Sequence, residues 1–248
     1  MDIIYTYYIS ENAKGTSNFD VLEAFSQSKL FNYSDILNGI NHQNNTLNMF
    51  IESCNRTYGI PRYQIIAKDR CVWTISQKFR DDLTNIFDKS SDILIELGCH
   101  YGYTTGFLSN LVKSVIAVDI STYLLGINRE INKVHDNIIY MRKDLYKGNW
   151  NDIIELKPTI CFLDAIHDYE HVKSDIENII KVPTINLIIF DDYGTWNGVT
   201  EAVNYFIDLK QLMCVSYVGL QSSELKKITP MNTIDDNLYE GIICKILR

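Results

Sequence analysis

The sequence predicts an α/β fold, in which a mostly parallel sheet of seven strands carries helices on both faces. Short apolar runs alternate with amphipathic segments from about residue 92 onwards, and glycines follow the first run. Runs of four to six largely β-branched residues are typical of strands buried on both faces of a parallel sheet. Their alternation with helices indicates successive βαβ units. The last two runs have no clear helix between them, which predicts an antiparallel final strand.

Each element follows from a local pattern in the chain. The predicted strands are residues 92–97, 115–119, 137–141, 159–164, 185–191, 212–219 and 239–247. The predicted helices are residues 102–112, 122–134, 168–181 and 198–210. An earlier helix, from about 74 to 87, is predicted because Ile75, Phe79, Leu83 and Phe87 recur at helical intervals. The polar segment 220–238 is predicted to be a loop.

The chain divides into two unequal parts. Residues 1–74 are predicted to form a mainly helical N-terminal extension, in which 19–30 and 34–53 have the apolar spacing of amphipathic helices. Residues 75–248 are predicted to form the domain that contains the sheet.

Composition narrows the class of partner. The 248 residues carry a net charge of −8 with a sequence pI of about 5.1, and no basic run interrupts them. Such a chain is poorly suited to gripping a phosphate backbone, so no nucleic-acid partner is expected. No basic, apolar leader or long apolar stretch is present, and the six cysteines include no CxxC pair. We therefore expect a cytoplasmic protein with free thiols and no membrane partner.

A glycine turn follows the first predicted strand. Glu96, Gly98 and Gly102 form the pattern E-x-G-x-x-x-G at a strand-to-helix turn. Glycines allow the backbone to approach a ligand closely, and a helix start offers free N–H groups. An ordinary βα turn remains the alternative. The spacing differs from the G-x-G-x-x-G of dinucleotide-binding folds.

Two acids follow the next two strands. Asp119 ends the second strand, about 20 residues beyond the turn, where a carboxylate can hold ribose hydroxyls. Asp144 follows the third strand. Ligands of open α/β sheets bind at this carboxyl edge of the strands.

With these residues the chain resembles the class I S-adenosylmethionine-dependent methyltransferases, over roughly residues 75–248. The resemblance implies a Rossmann-like sheet with an antiparallel seventh strand, and S-adenosylmethionine as cofactor. It implies that Gly98 and Gly102 lie against the methionine part of the cofactor, with Glu96 supporting the turn. Asp119 would bind the ribose and Asp144 the adenine amino group. The N-terminal extension would help to select the substrate or contribute to a homo-oligomer interface.

A second group of acids follows strands four and five. Asp164 ends the fourth predicted strand, and Asp191 and Asp192 end the fifth. Three carboxylates brought together repel one another unless a cation or a shared proton intervenes. Oxygen ligands of this kind suit Mg²⁺ or another divalent cation. Solvated acids that cap helices are the alternative.

The segment that begins at Asp164 is more specific than the glycine turn. D-x-x-H-x-Y-E-x-V-x-x-D, followed by a strand ending D-D-Y, resembles a methyltransferase subgroup that modifies hydroxyls of antibiotics and sugars, some members with Mg²⁺. The resemblance implies that Asp164, Asp191 and Asp192 hold the ion and that a small hydroxylated acceptor, such as a sugar, is methylated. Asp164 or His167 would take the acceptor's proton. The alternative for His167 is a histidine at the helix start that hydrogen-bonds a carboxylate at a strand end. The subgroup usually has glycine where this chain has Ala165.

Other interpretations of these residues lead to other predictions. His167, Glu170 and His171 satisfy the H-x-x-E-H pattern of a zinc peptidase, although the pattern begins directly after a strand. A nucleic-acid 2′-O-methyltransferase would share the fold but needs a lysine where Asp191 and Asp192 stand. A non-catalytic binding protein would retain the scaffold alone. Tyr193, Trp196 and the loop 221–237 are predicted to line the acceptor pocket.

Overall fold

One seven-stranded sheet organises the described part of the chain. The computed structural model describes residues 74–84, 86–228 and 235–248. The sheet has the strand order β3-β2-β1-β4-β5-β7-β6. The strands are β1 (Ile93–Leu97), β2 (Ser114–Asp119), β3 (Ile138–Arg142), β4 (Ile160–Leu163), β5 (Leu187–Phe190), β6 (Leu212–Gln221) and β7 (Tyr239–Ile246). All seven predicted strands are therefore present.

The register aligns the carboxyl ends of β1, β4 and β5. Strands β1 to β5 are parallel to their neighbours, and β7 is antiparallel to both β5 and β6. Leu97 of β1 pairs with Leu163 of β4, and Leu163 pairs with Phe190 of β5. The residues that follow these strands consequently meet at one edge. The predicted Rossmann-like sheet with an antiparallel last strand is confirmed.

The helices surround this sheet, and two of them were not predicted. They are α1 (Gln77–Leu83), α2 (Tyr103–Ser109), α3 (Thr122–Ile131), α4 (Asn151–Leu156), α5 (Tyr169–Lys181), α6 (Asn197–Asp208) and α7 (Ser222–Ile228). The short α4 connects β3 to β4, and α7 begins inside the segment 220–238, so the prediction of a helix-free loop there was wrong. Helices of six or seven residues contain less than two turns of periodicity, which explains why the pattern missed them.

The apolar core lies on both faces of the sheet. On one face, Phe79 and Leu83 of α1 are fully buried against Leu94, Phe162 and other strand residues. On the other face, the cores of α5 and α6 pack against β4, β5 and β7. The helix predicted over 74–87 is shorter than expected. It begins at Gln77, because the Ser76 side chain caps it by accepting from the Phe79 N–H at 3.1 Å, and it ends at Leu83.

The N-terminal predictions lie outside the described residues. These are the helices at 19–30 and 34–53 and the extension to residue 73. Across the part of the chain that the structure describes, no helix has both the length and the apolar character needed to cross a bilayer.

Candidate functional site

The glycine turn between β1 and α2 is shaped by contacts within the protein. Gly98 and Gly102 have φ values of 90° and 86°, which side chains rarely adopt. A Cβ at Gly98 would lie 2.0 Å from the backbone oxygen of Asp164, and one at Gly102 would lie 2.2 Å from the Asn128 side chain. From the sequence, both close approach of a ligand and an ordinary βα turn could explain these glycines. In the structure, packing of the turn against β4 and α3 already requires them.

Glu96 lies beneath this turn as a buried acid. The Thr105 hydroxyl donates to its carboxylate, and the Asn128 amide donates to that hydroxyl at 2.9 Å. Burial raises the pKa of Glu96 to about 8, an effect that the hydrogen bond from Thr105 opposes. These hydrogen bonds link Glu96 to α2 and α3 through Thr105 and Asn128, two residues that the sequence pattern did not indicate. The supporting role of Glu96 in the turn stays a prediction.

Asp119 connects the end of β2 to the glycine turn. Its carboxylate accepts from the backbone N–H of His100 at 3.1 Å and from that of Ser121 at 2.8 Å. Burial raises the pKa of Asp119, and these backbone hydrogen bonds oppose that rise. A carboxylate has about four lone-pair positions, so the two oxygens can still accept hydroxyl donors from a ligand.

Asp144 lies in the loop that follows β3. It accepts from the backbone N–H of Tyr146 at 3.1 Å and forms an ion pair with Lys147 at 3.1 Å. The Lys147 side chain is 85% exposed, so this ion pair contributes little. The hydrogen bond from the Tyr146 N–H is therefore the contact that orients the Asp144 carboxylate.

Asp164, His167 and Asp192 form a compact cluster at the ends of β4 and β5. His167 Nε2 lies 3.2 Å from Asp164 Oδ1 and 3.3 Å from Asp192 Oδ2. One ligand atom from each of the three residues lies within 4.8 Å of the other two. The convergence of Asp164 and Asp192 was predicted, and the contact of His167 with Asp164 agrees with a histidine at the helix start that hydrogen-bonds a strand-end carboxylate.

The proton of this cluster resides on the imidazole at neutral pH. Burial lowers the pKa of His167, but its hydrogen bond with Asp164 and the charges of Asp192 and Asp164 outweigh burial and raise the pKa to about 9. Burial raises the pKa of Asp164 to about 6, against the opposing effect of His167. An imidazolium flanked by carboxylates is therefore the neutral-pH state, and it supplies positive charge where a cation was predicted.

The three-carboxylate set predicted for Mg²⁺ is not what converges here. Asp191 is absent from the cluster of donor atoms found among the described residues, and its Oδ1 accepts the backbone N–H of Asp192 at 2.9 Å. Asp192 has a left-handed φ of 58°, so the chain turns sharply as β5 ends. The remaining donors are two carboxylates and one imidazole, a poorer match to Mg²⁺, which prefers oxygen.

Two neighbours hold this cluster in place. The Thr195 hydroxyl donates to Asp192, and the Trp196 ring stacks on the His167 ring with centroids 5.3 Å apart and planes 18° apart. Trp196 is 50% exposed. Tyr193, by contrast, is buried, and its hydroxyl donates to Asn204 at 2.8 Å. Whether Trp196 and Tyr193 line an acceptor pocket stays a prediction. Part of the loop 221–237 lies outside the described residues.

The H-x-x-E-H interpretation is contradicted by where its two histidines point. His167 precedes α5, whereas His171 lies within its first turn and contacts Asp168 through Nδ1 at 2.6 Å. His167 instead contacts Asp164 and Asp192. The two imidazoles thus belong to different clusters, because Asp168 caps the helix between them.

Comparisons with known proteins find only distant structural similarity. No family model and no curated protein matches the sequence. A ribosomal RNA methylase from Streptococcus thermophilus is 17% identical with a TM-score of 0.47, over 68% of this chain and 94% of that one. The N-methyltransferase NodS from Bradyrhizobium japonicum, crystallised with S-adenosyl-L-homocysteine, is 12% identical with a TM-score of 0.48, over 75% and 92%. Fibrillarin from Aeropyrum pernix, with bound S-adenosyl-L-methionine, is 11% identical with a TM-score of 0.45, over 64% and 67%. Similarity this distant carries no functional argument, so function is inferred from the site geometry.

Proposed function

We propose that the protein is an S-adenosylmethionine-dependent methyltransferase that methylates a hydroxyl of a small molecule, such as a sugar. One observation carries the proposal: the Asp119 carboxylate, at the end of β2, is tied to the glycine turn by the His100 N–H at 3.1 Å. This arrangement presents a buried carboxylate beside a turn at the ligand-binding edge of the sheet, as recognition of a ribose requires.

The residues present fit a nucleoside cofactor. Asp119 keeps acceptor capacity for ribose hydroxyls, and Asp144 is oriented by the Tyr146 N–H to accept from an adenine amino group. The bound cofactor supplies a methyl group on a sulfonium, which is a good leaving group. The protein's remaining task is alignment and proton removal.

Proton removal is assigned to Asp164. With the cofactor held by Asp119 and Asp144, methyl transfer to the acceptor oxygen would release the proton of that hydroxyl, and the Asp164 carboxylate would accept it. His167 already carries a proton at neutral pH, because its pKa is about 9. Its positive charge keeps Asp164 ionised, since the pKa of Asp164 is about 6. His167 is therefore assigned an electrostatic role and Asp164 the role of base.

The acceptor assignment rests on the surroundings of this pair. The half-exposed Trp196 ring offers an apolar surface next to Asp164 and Asp192, as binding of a sugar ring requires. The carboxylates Asp164 and Asp192 disfavour a phosphorylated acceptor. These features support a neutral hydroxylated acceptor over nucleic acid.

The cofactor assignment predicts the behaviour of Asp119→Ala. Titration calorimetry should show that the wild type binds S-adenosylhomocysteine and that Asp119→Ala binds it at least about 30-fold more weakly. The lost carboxylate accounts for about 2 kcal/mol or more, which is the range of charge-assisted hydrogen bonds. Asp208→Ala, which removes an exposed acid at the end of α6, should bind like the wild type. A wild type that shows no binding would refute the cofactor assignment.

The cluster predicts a weak response to Mg²⁺. At pH 7.5 the His167 proton must leave before the ring can bind a metal, because its pKa is about 9. We therefore expect that adding MgCl₂ at about 5 mM, or EDTA at about the same concentration, leaves the melting temperature unchanged. A rise of several degrees with Mg²⁺ in the wild type, absent in Asp192→Asn, would restore the metal site.

A further inference from the structure

A cluster of polar side chains links the Asp144 loop to α5, away from the Asp164 cluster. The Tyr146 hydroxyl donates to Asp175 Oδ2 at 3.2 Å. Its ring meets the edge of the His171 ring, with centroids 4.4 Å apart and planes at 76°. Asp175 lies four residues after His171, about one turn further along α5, and on the buried side of that helix. Tyr146 thus spans from the loop after β3 to the helix after β4.

Asp175 is an unusual residue to find in this core. Its side chain is fully buried, and its Oδ1 has no hydrogen-bond partner among the described residues. Burial raises the pKa of Asp175 to about 7, and the hydrogen bond from Tyr146 opposes that rise. A leucine or alanine would pack here at lower cost, because a buried carboxyl is expensive unless it is paired. The acid is therefore explained by its contact with Tyr146.

The same tyrosine orients Asp144 from its other end. Its backbone N–H donates to Asp144 Oδ1 at 3.1 Å. Asp144 Oδ2 forms the ion pair with the exposed Lys147. A continuous path therefore runs from α5 through Asp175 and Tyr146 to the Asp144 carboxylate. The helix itself is well anchored, with Val172, Ile176 and Ile179 in the core.

We propose that Tyr146 is a positioning residue for cofactor binding, which holds the Asp144 carboxylate in place for the adenine by fastening its loop to Asp175 of α5. The proposal rests on the methyltransferase function proposed above. Tyr146 acts through Asp144, so removal of its hydroxyl should loosen binding of any ligand that contains the adenosine part. Burial also raises the pKa of Tyr146, so the phenol remains a donor at every working pH.

Calorimetry with two probes tests this role. S-adenosylhomocysteine and 5′-methylthioadenosine share the adenosine part, and only the first has the amino-acid part. Tyr146→Phe should raise the Kd of both by the same factor, about tenfold, because a partly buried hydrogen bond to a carboxylate is lost. Tyr205→Phe is the control, since its ring is 40% exposed and contacts the rings of Tyr169 in α5 and Phe206 in α6. Thermal unfolding confirms that each variant is folded at the assay temperature.

Variants of Asp175 separate positioning from general packing. Asp175→Asn keeps an oxygen that can accept from Tyr146 and should retain wild-type affinity. Asp175→Leu should weaken binding as Tyr146→Phe does, and the double variant Tyr146→Phe/Asp175→Leu should lose no more than either single variant. Equal Kd values for Tyr146→Phe and wild type, or losses that multiply in the double variant, would overturn the proposal. A wild type that binds neither probe would overturn the proposed function and this proposal with it.

Discussion

Gly98→Ala is expected to lose about 3–5 kcal/mol of unfolding free energy, enough to unfold a marginally stable domain. The new Cβ would lie 2.0 Å from the Asp164 backbone oxygen and 2.7 Å from the Ala165 Cα. Both atoms belong to the backbone, so no side-chain rotation can relieve the clash, and β1 and β4 must separate. The φ of 90° adds about 1–2 kcal/mol for a residue with a Cβ. Urea denaturation at pH 7 measures the loss.

Gly148→Ala provides a matched control for the backbone conformation. Gly148 has a φ of 78°, close to that of Gly98, but a Cβ there would meet nothing within 4 Å. It should lose only about 1 kcal/mol, the conformational part alone. The difference between the two variants therefore measures the contact between the glycine turn and β4. Equal losses in both would show that the strands can accommodate a side chain at Gly98.

The second large effect concerns the pH dependence of stability near neutrality, to which Glu96 should contribute strongly alongside His167 and Asp175. Its pKa is raised from 4.5 to about 8 in the folded protein, chiefly by burial. The folded state therefore keeps a proton that the unfolded chain releases above pH 4.5. The stabilisation linked to this proton is complete at low pH and is lost as pH rises towards 8. Between pH 5.5 and 7.5 the loss should be of the order of 2 kcal/mol.

Glu96→Gln should remove the part of the slope that Glu96 contributes. The amide oxygen can still accept from Thr105, and no charge has to be buried at high pH. Relative to wild type, the variant should gain stability steadily between pH 5.5 and 7.5. Denaturant titrations at several pH values measure that gain, and Glu177→Gln, at an exposed position of α5, controls for the exchange itself. A difference between Glu96→Gln and wild type that does not change with pH would show that Glu96 is ionised throughout.

Some of the site was predictable because it depends on local pattern and on topology. The apolar runs set the strands, and parallel strands bring their carboxyl ends to one edge, so Asp119, Asp144, Asp164 and Asp192 were placed there correctly. The helix start at Asp168 also followed from local chemistry, since its side chain accepts from the His171 N–H at 3.1 Å. The short helices α4 and α7 were not predicted, because each has too few residues to show a helical period.

The sequence by itself determined the fold class, the order of the elements and the acids at the strand ends, because each of these follows from residue period and chain direction. Only the tertiary structure decided which side chains meet. It grouped His167 rather than Asp191 with Asp164 and Asp192, and it joined Tyr146 to Asp175 across 29 positions of the chain. Such pairings depend on how the chain turns after each strand and on which helix face lies against the sheet. Those directions are set by non-local packing, which no local pattern encodes.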